Sequence, residues 1–169
     1  MKLLRWTYIL GFMIFSFTLQ AEEKESVQQS RIRALSFLVG SWAGEGKSYD
    51  DNGNTSSYFD TENVWFDVDD SLLIIQANGF RDEKPFYGIH TVVYYDESAE
   101  HYWYNPYTAK GARAFSCNLV DKVFLCYTED KTFRLTFRRT DSGQWNEFGE
   151  RFVDGLWKKT FETILNKTE

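Results

Sequence analysis

Phe37-Leu-Val-Gly-Ser-Trp-Ala-Gly-Glu-Gly46 is the stretch that decides the fold. A short apolar run meets Gly40 and then Trp42, and two more glycines follow at Gly44 and Gly46. Glycine is used where a backbone must turn sharply or approach another closely. A Gly-x-Trp that opens a long succession of short, aromatic-rich segments predicts the first strand of a barrel. It predicts a container and leaves its contents unnamed.

Working outward, turn signals divide everything after this stretch. They are Asp51-Asn-Gly53, Asp69-Asp70, Arg81-Asp-Glu-Lys-Pro85, Asp96-Glu-Ser98, Thr108-Ala-Lys-Gly111, Asp121-Lys122, Glu129-Asp-Lys131, Asp141-Ser-Gly143 and Asp154-Gly155. Between them the sequence predicts ten strands, at 42–50, 57–68, 71–80, 86–95, 100–106, 112–119, 123–128, 132–140, 144–153 and 156–165. Alternation is clean in Phe133, Leu135 and Phe137, which oppose Arg134, Thr136 and Arg138. Trp157, Phe161 and Leu165 are expected to share a face in the same way. No gap is long enough for a crossover helix, so neighbouring strands must run antiparallel. Closure of such a meander removes its two exposed edges. The fold class expected is therefore all-β: an antiparallel up-and-down barrel of about ten strands, with a short N-terminal helix at one end. That helix is expected within Glu22–Ser36, where Val27, Ile32, Leu35 and Leu38 form a stripe.

Residues 1–21 read as a secretory signal peptide. Lys2 and Arg5 precede an apolar stretch from Ile9 to Leu19, and Gln20-Ala21 offers a small residue at the cut. The apolar stretch falls short of the ~20 residues a spanning helix requires. Residues 22–169 then form a single barrel domain, exported to the periplasm or the cell exterior and not integral to the membrane. The formal net charge is −6 over the whole chain, and without the cations Lys2 and Arg5 it becomes −8. That balance, with no basic cluster, argues against nucleic acid as a partner. A membrane barrel is disfavoured by Arg134, Arg138, Lys158 and Glu162 at outward positions.

Cys117 and Cys126 flank eight residues centred on Asp121-Lys122. If those two make the turn of a hairpin, Val120 faces Val123, Leu119 faces Phe124, and Cys117 faces Cys126. Counting outward from the turn, the last is a non-hydrogen-bonded pair with Cα atoms ~4.5 Å apart. A cross-strand disulfide is expected, as suits an exported chain; two buried thiols are the alternative.

The opening stretch resembles that of lipocalin-like barrels of the calycin superfamily, in which Gly-x-Trp begins the first strand and the Trp, here Trp42, plugs the closed end. The added Gly44-Glu-Gly46 looks closest to nitrobindin-like barrels and to bacterial relatives of unknown function. The strand count, with Asp154-Gly-Leu-Trp157 and Phe161-Glu-Thr-Ile-Leu165 near the end, fits the same pattern, over about residues 35 to 165. The resemblance implies a haem held by a histidine near the C-terminus. The only histidines here are His90 and His101, so that ligand has no position to carry over and no cofactor is expected.

No catalytic residues are expected, because no nucleophile motif, phosphate-cradling loop or zinc-protease pair is present. No metal-ligand spacing is present either. The expected partner is a small apolar or amphipathic ligand. Candidate contacts are His90 and Tyr94 on one strand, Tyr102 and Tyr104 in the aromatic run Tyr102-Trp-Tyr104, and Arg113 between two alanines. Glu62, Glu147 and Glu150 are expected on the solvated outer wall. Two other functions remain open: a nitrobindin-like haem-binding isomerase or redox protein, and a structural envelope protein with a filled barrel.

Overall fold

In the computed structural model, which describes residues 25–168, the chain after residue 40 forms a closed antiparallel barrel. Its strands are β1 (Gly40–Tyr49), β2 (Thr55–Asp67), β3 (Leu72–Arg81), β4 (Lys84–Asp96), β5 (His101–Thr108), β6 (Gly111–Ala112), β7 (Phe115–Val120), β8 (Val123–Tyr127), β9 (Phe133–Arg139), β10 (Trp145–Val153) and β11 (Leu156–Lys167). β6 is a two-residue extension paired only with β5. The other ten strands make the wall, closed by the pairing of β1 with β11. The expected signal peptide lies outside the described residues.

Two-residue turns join three of the hairpins. Asp82-Glu83, Asp121-Lys122 and Asp154-Gly155 all have positive φ at both positions. That mirror-image turn matches the right-handed twist of the strands. The turn at Asp121-Lys122 sets the register foreseen from the sequence: Val120 pairs with Val123, Leu119 with Phe124, and Cys117 with Cys126. The two cysteines form a disulfide, with Cα atoms 4.0 Å apart and both side chains fully buried.

The helix α1 (Val27–Arg33) is shorter than expected and starts at a capping box. Ser26 Oγ accepts from the Gln29 backbone N–H, and Gln29 Oε1 accepts from the Ser26 N–H. Val27 is not part of the apolar stripe; it is 52% exposed. Ile32, Leu35 and Leu38 are fully buried against Trp42, Leu73, Val93 and Leu165. Polar contacts fix the helix over the β2–β3 turn. Gln28 and Gln29 donate to the carbonyls of Ser71 and Asp69, and Arg33 pairs with Asp70. Tyr102 Oη donates to the Arg31 carbonyl. This end of the barrel is packed shut. Trp42, 1% exposed, sits in the plug with Nε1 donating to the Leu38 carbonyl at 2.7 Å.

Two strands depart from simple alternation: β4, where Phe86 is left unpaired opposite Gly79 and Phe80, and β11. Gly149 pairs with Phe161 and Glu150 with Lys159, which leaves Thr160 unpaired in a bulge. Phe161, Thr163 and Leu165 follow the inner face, and Thr163 and Leu165 are fully buried. Trp157 lies on the other side of the bulge, on the outer wall, with the Arg134 guanidinium 4.3 Å from its ring centroid. The expectation that Trp157, Phe161 and Leu165 share a face is corrected by that one extra residue.

Candidate functional site

The open half of the barrel is not packed shut. A cavity of about 600 Å³ runs from the mouth near Lys110–Arg113 down to the carboxyl groups of Glu62 and Glu147. Its walls include Phe86, Phe115, Phe133, Phe137 and Phe161, with Tyr58, Tyr87 and Tyr104 around the floor.

The floor is built mainly by β2 and β10. On β2 the inward residues are Tyr58, Asp60, Glu62 and Val64, all buried, while Phe59 and Trp65 on the outer face are 47% and 38% exposed. The usual rule, apolar in and polar out, is broken at Asp60 and Glu62 inside and at Phe59 and Trp65 outside. Glu147 comes from β10, on the same face as buried Trp145 and Gly149. Asp60, Glu62 and Glu147 are 0%, 3% and 8% exposed. Each offers an oxygen within 4.8 Å of the others. The expectation that Glu62 and Glu147 lie on the outer wall is thereby corrected. Glu150 does lie on the outside, where it accepts a charge-assisted hydrogen bond from Arg134 Nε at 2.6 Å.

Two glycines make room for the tyrosines that frame these acids. A Cβ on Gly46 would stand 2.2 Å from the Tyr58 ring, and a Cβ on Gly79 would stand 2.2 Å from the Tyr87 ring. With those positions bare, Tyr58 Oη reaches Thr163 Oγ1 at 2.7 Å. Tyr87 Oη donates to Asp60 Oδ2 at 2.5 Å. Gly46 in the opening stretch thus serves to seat an aromatic ring at the cavity floor.

Burial governs the protonation of this group. It pushes the Asp60 carboxyl up to about 6, against the lowering effect of the Tyr87 hydrogen bond. Glu62 and Glu147 are both driven upward, first by burial and then by the negative charge of their neighbours. Two carboxyls so placed share a proton more readily than both ionise. The same burial and the same carboxylates push the hydroxyls of Tyr58, Tyr87 and Tyr104 upward, so they stay protonated and able to donate. No salt bridge to a Lys or Arg neutralises the three acids among the described residues. The arrangement is an uncompensated acidic floor under an apolar vestibule. Oxygen donors of this kind are also those that hard cations take.

Two of the candidate ligand contacts, Tyr104 and Arg113, line the cavity. Tyr104 is buried near its floor and Arg113 is exposed at its mouth. Tyr102 is buried at the plugged end, edge-on to Tyr95 and Phe124. His90 is exposed on the outer face of β4, its ring 6.5 Å from that of Trp65, and Tyr94 shares that outer face. His101 stands at the start of β5 with Nδ1 3.1 Å from the Ala99 carbonyl. The sequence reading missed the acids. Its available signal was β2 itself, where Val64 and Tyr58 can face inward only if Asp60 and Glu62 do too.

No protein-family model matches the chain, and no curated protein matches it. Among solved structures, the chain is similar to the crystal structure of Rv2717c from M. tuberculosis, with a TM-score of 0.60 and 14% sequence identity. The match covers 82% of this chain and 97% of that one. At that identity the likeness establishes a shared barrel fold.

Proposed function

We propose that this chain is an exported, lipocalin-like barrel that binds one small apolar or amphipathic molecule and does not transform it. The observation that carries the reading is the cavity: about 600 Å³, aromatic-walled, with a few polar groups converging at its floor. Volumes of roughly 300–1,000 Å³ with such linings are typical of small-molecule sites. The disulfide supports export, because such bonds persist in oxidising compartments. The outer wall supports a barrel that stands in water: Arg134 pairs with Glu150, and Lys159 with Glu162. Among the described residues no helix is long and apolar enough to cross a membrane.

The haem alternative has less support. A haem iron inside the barrel would need an axial ligand from the cavity wall. Neither His90 nor His101 lines the cavity, and burial keeps the hydroxyls of Tyr58, Tyr87 and Tyr104 protonated, so no haem chemistry is proposed. A filled structural barrel is disfavoured by the open vestibule itself.

The test is titration with 1-aminoanthracene, an apolar fluorophore small enough for the cavity. One equivalent should bind with a blue-shifted emission, and Ala112→Trp at the exposed mouth should block it. Absence of saturable binding in the wild-type protein would sink the reading.

A further inference from the structure

We infer that the cavity selects an organic cation: a primary or secondary amine on an apolar body, with its ammonium seated between Glu62 and Glu147. The inference rests on the cavity being a ligand site and says what kind of ligand it takes.

Three observations converge on it. First, Glu62 and Glu147 line the cavity, and Asp60 stands directly behind them, within the same 4.8 Å cluster. Second, among the described residues no Lys, Arg, hydroxyl or backbone N–H donates to the carboxyls of Glu62 and Glu147, although both line the cavity and are more than nine-tenths buried. A buried acceptor left unpaired is costly, and a donor brought by a ligand removes that cost. Third, the walls above the acids are aromatic. The faces of Tyr58, Tyr104 and Phe137 attract a cation, and the apolar room above accepts a hydrocarbon body.

Competing occupants fit less well. A carboxylate would be buried beside three acids. A neutral molecule would leave the acidic field uncompensated. A bare divalent ion would suit the oxygens but would leave the aromatic vestibule without a role. An ammonium brings up to three donors to a floor made of acceptors, and its body fills the vestibule.

Binding of the cation must displace the proton held by the Glu62–Glu147 pair. The titratable groups facing that pair are Asp60 and Tyr58 from β2, Tyr87 from β4 and Tyr104 from β5. Lys110 and Arg113 are exposed at the mouth, and Arg81 lies over the Phe86 ring at the rim. None of these cations forms a salt bridge with the acids, so ionisation of the pair is left to the ligand.

Isothermal titration of the folded protein with 4-phenylbutylamine, 4-phenylbutanol and 4-phenylbutyrate tests this. The three probes share a body and differ in charge. At pH 8 the amine should bind at least about tenfold more tightly than the alcohol or the acid. Its advantage should shrink at pH 6, and its heat should vary with the ionisation enthalpy of the buffer, reporting proton release. Glu147→Gln should abolish the amine's advantage over the alcohol, with an unchanged circular dichroism spectrum showing that the variant folds. Equal binding of the three probes, or preference for the acid, overturns the inference and leaves the binding barrel standing. Binding of none overturns both. One equivalent of Mn²⁺ or Ca²⁺ bound at this floor, with no preference for the amine, overturns it in favour of a metal site.

Discussion

The two halves of the barrel interior are built from the same strands and serve opposite ends. At the plugged end, Ile32, Leu35, Leu38, Trp42, Phe124 and Leu165 interlock with almost no exposure. At the open end, equally large rings stand apart around a cavity of about 600 Å³. Between them lies a belt of polar groups: Asp60, Glu62, Glu147, Thr91 and Thr163. The plugged half supplies stability, and that surplus lets the other half carry a void and three buried acids. Each would be destabilising by itself.

Truncation breaks this comparison most strongly. Phe124 is fully buried, edge-on to Tyr102 and beside Phe137. Phe124→Ala should cost about 3–5 kcal/mol, because it opens a cavity in a packed region. Phe86→Ala at the mouth removes a ring already 47% exposed and should cost well under half as much. Urea denaturation of both variants measures the difference. Equal losses would mean that the open half is as tightly packed as the plugged one.

The polar belt should make the protein more stable in acid than in mild base. The native Asp60 carboxyl holds its proton up to about 6, whereas an unfolded one releases it near 3.8. Between those values the native state binds more protons, so stability falls as pH rises. Asp60 alone accounts for a loss of about 3 kcal/mol, complete above pH ~6. Glu62 and Glu147 shift in the same direction and extend the decline upward. Melts across pH 4–8 should therefore show a falling midpoint, and Asp60→Asn should flatten the lower part of that fall. A midpoint that rises over this range would show that the acids are solvated or paired.

The ten wall strands, with bounds a few residues off, and the cysteine pairing were legible in the sequence, because turns are local chemistry. Asp121-Lys122 fixes a register that carries Cys117 to Cys126 by counting alone. The site was not legible, because it depends on which face of each strand turns inward. Phe59 and Trp65 are larger and more apolar than Asp60 and Glu62, so at these four positions hydrophobicity points the wrong way and blurs the signal from Tyr58 and Val64. Closure of the barrel overrides that preference, since Tyr58 and Val64 are committed inward against Thr163 and the plug. A strand whose local preference loses to the global fold is where function is to be sought. The bulge at Thr160 shows the same limit: one unpaired residue moved Trp157 to the outside.

The disulfide sharpens the comparison at smaller scale. It crosses from β7 to β8 among the plugged-end residues and spans nine positions in sequence. Its removal in the double variant Cys117→Ser, Cys126→Ser should cost about 2–3 kcal/mol, mostly by freeing the unfolded chain. Binding of 1-aminoanthracene to the variant that remains folded should be unchanged, since neither cysteine lines the cavity.

The smallest expected effect concerns the lid. Ser26 caps a helix of only seven residues, too short to persist without its tertiary contacts. Ser26→Ala removes one half of the capping box and should cost about 1 kcal/mol. If helix and barrel unfold as one unit, the loss appears in the global midpoint with an unchanged denaturant slope. If the plug opens alone, the global midpoint stays put and amide exchange quickens only in α1 and the residues it covers. The fully buried Ile32 and Leu35 and the Tyr102–Arg31 hydrogen bond favour the first outcome, because opening α1 would expose the packed half and leave Trp42 without its lid.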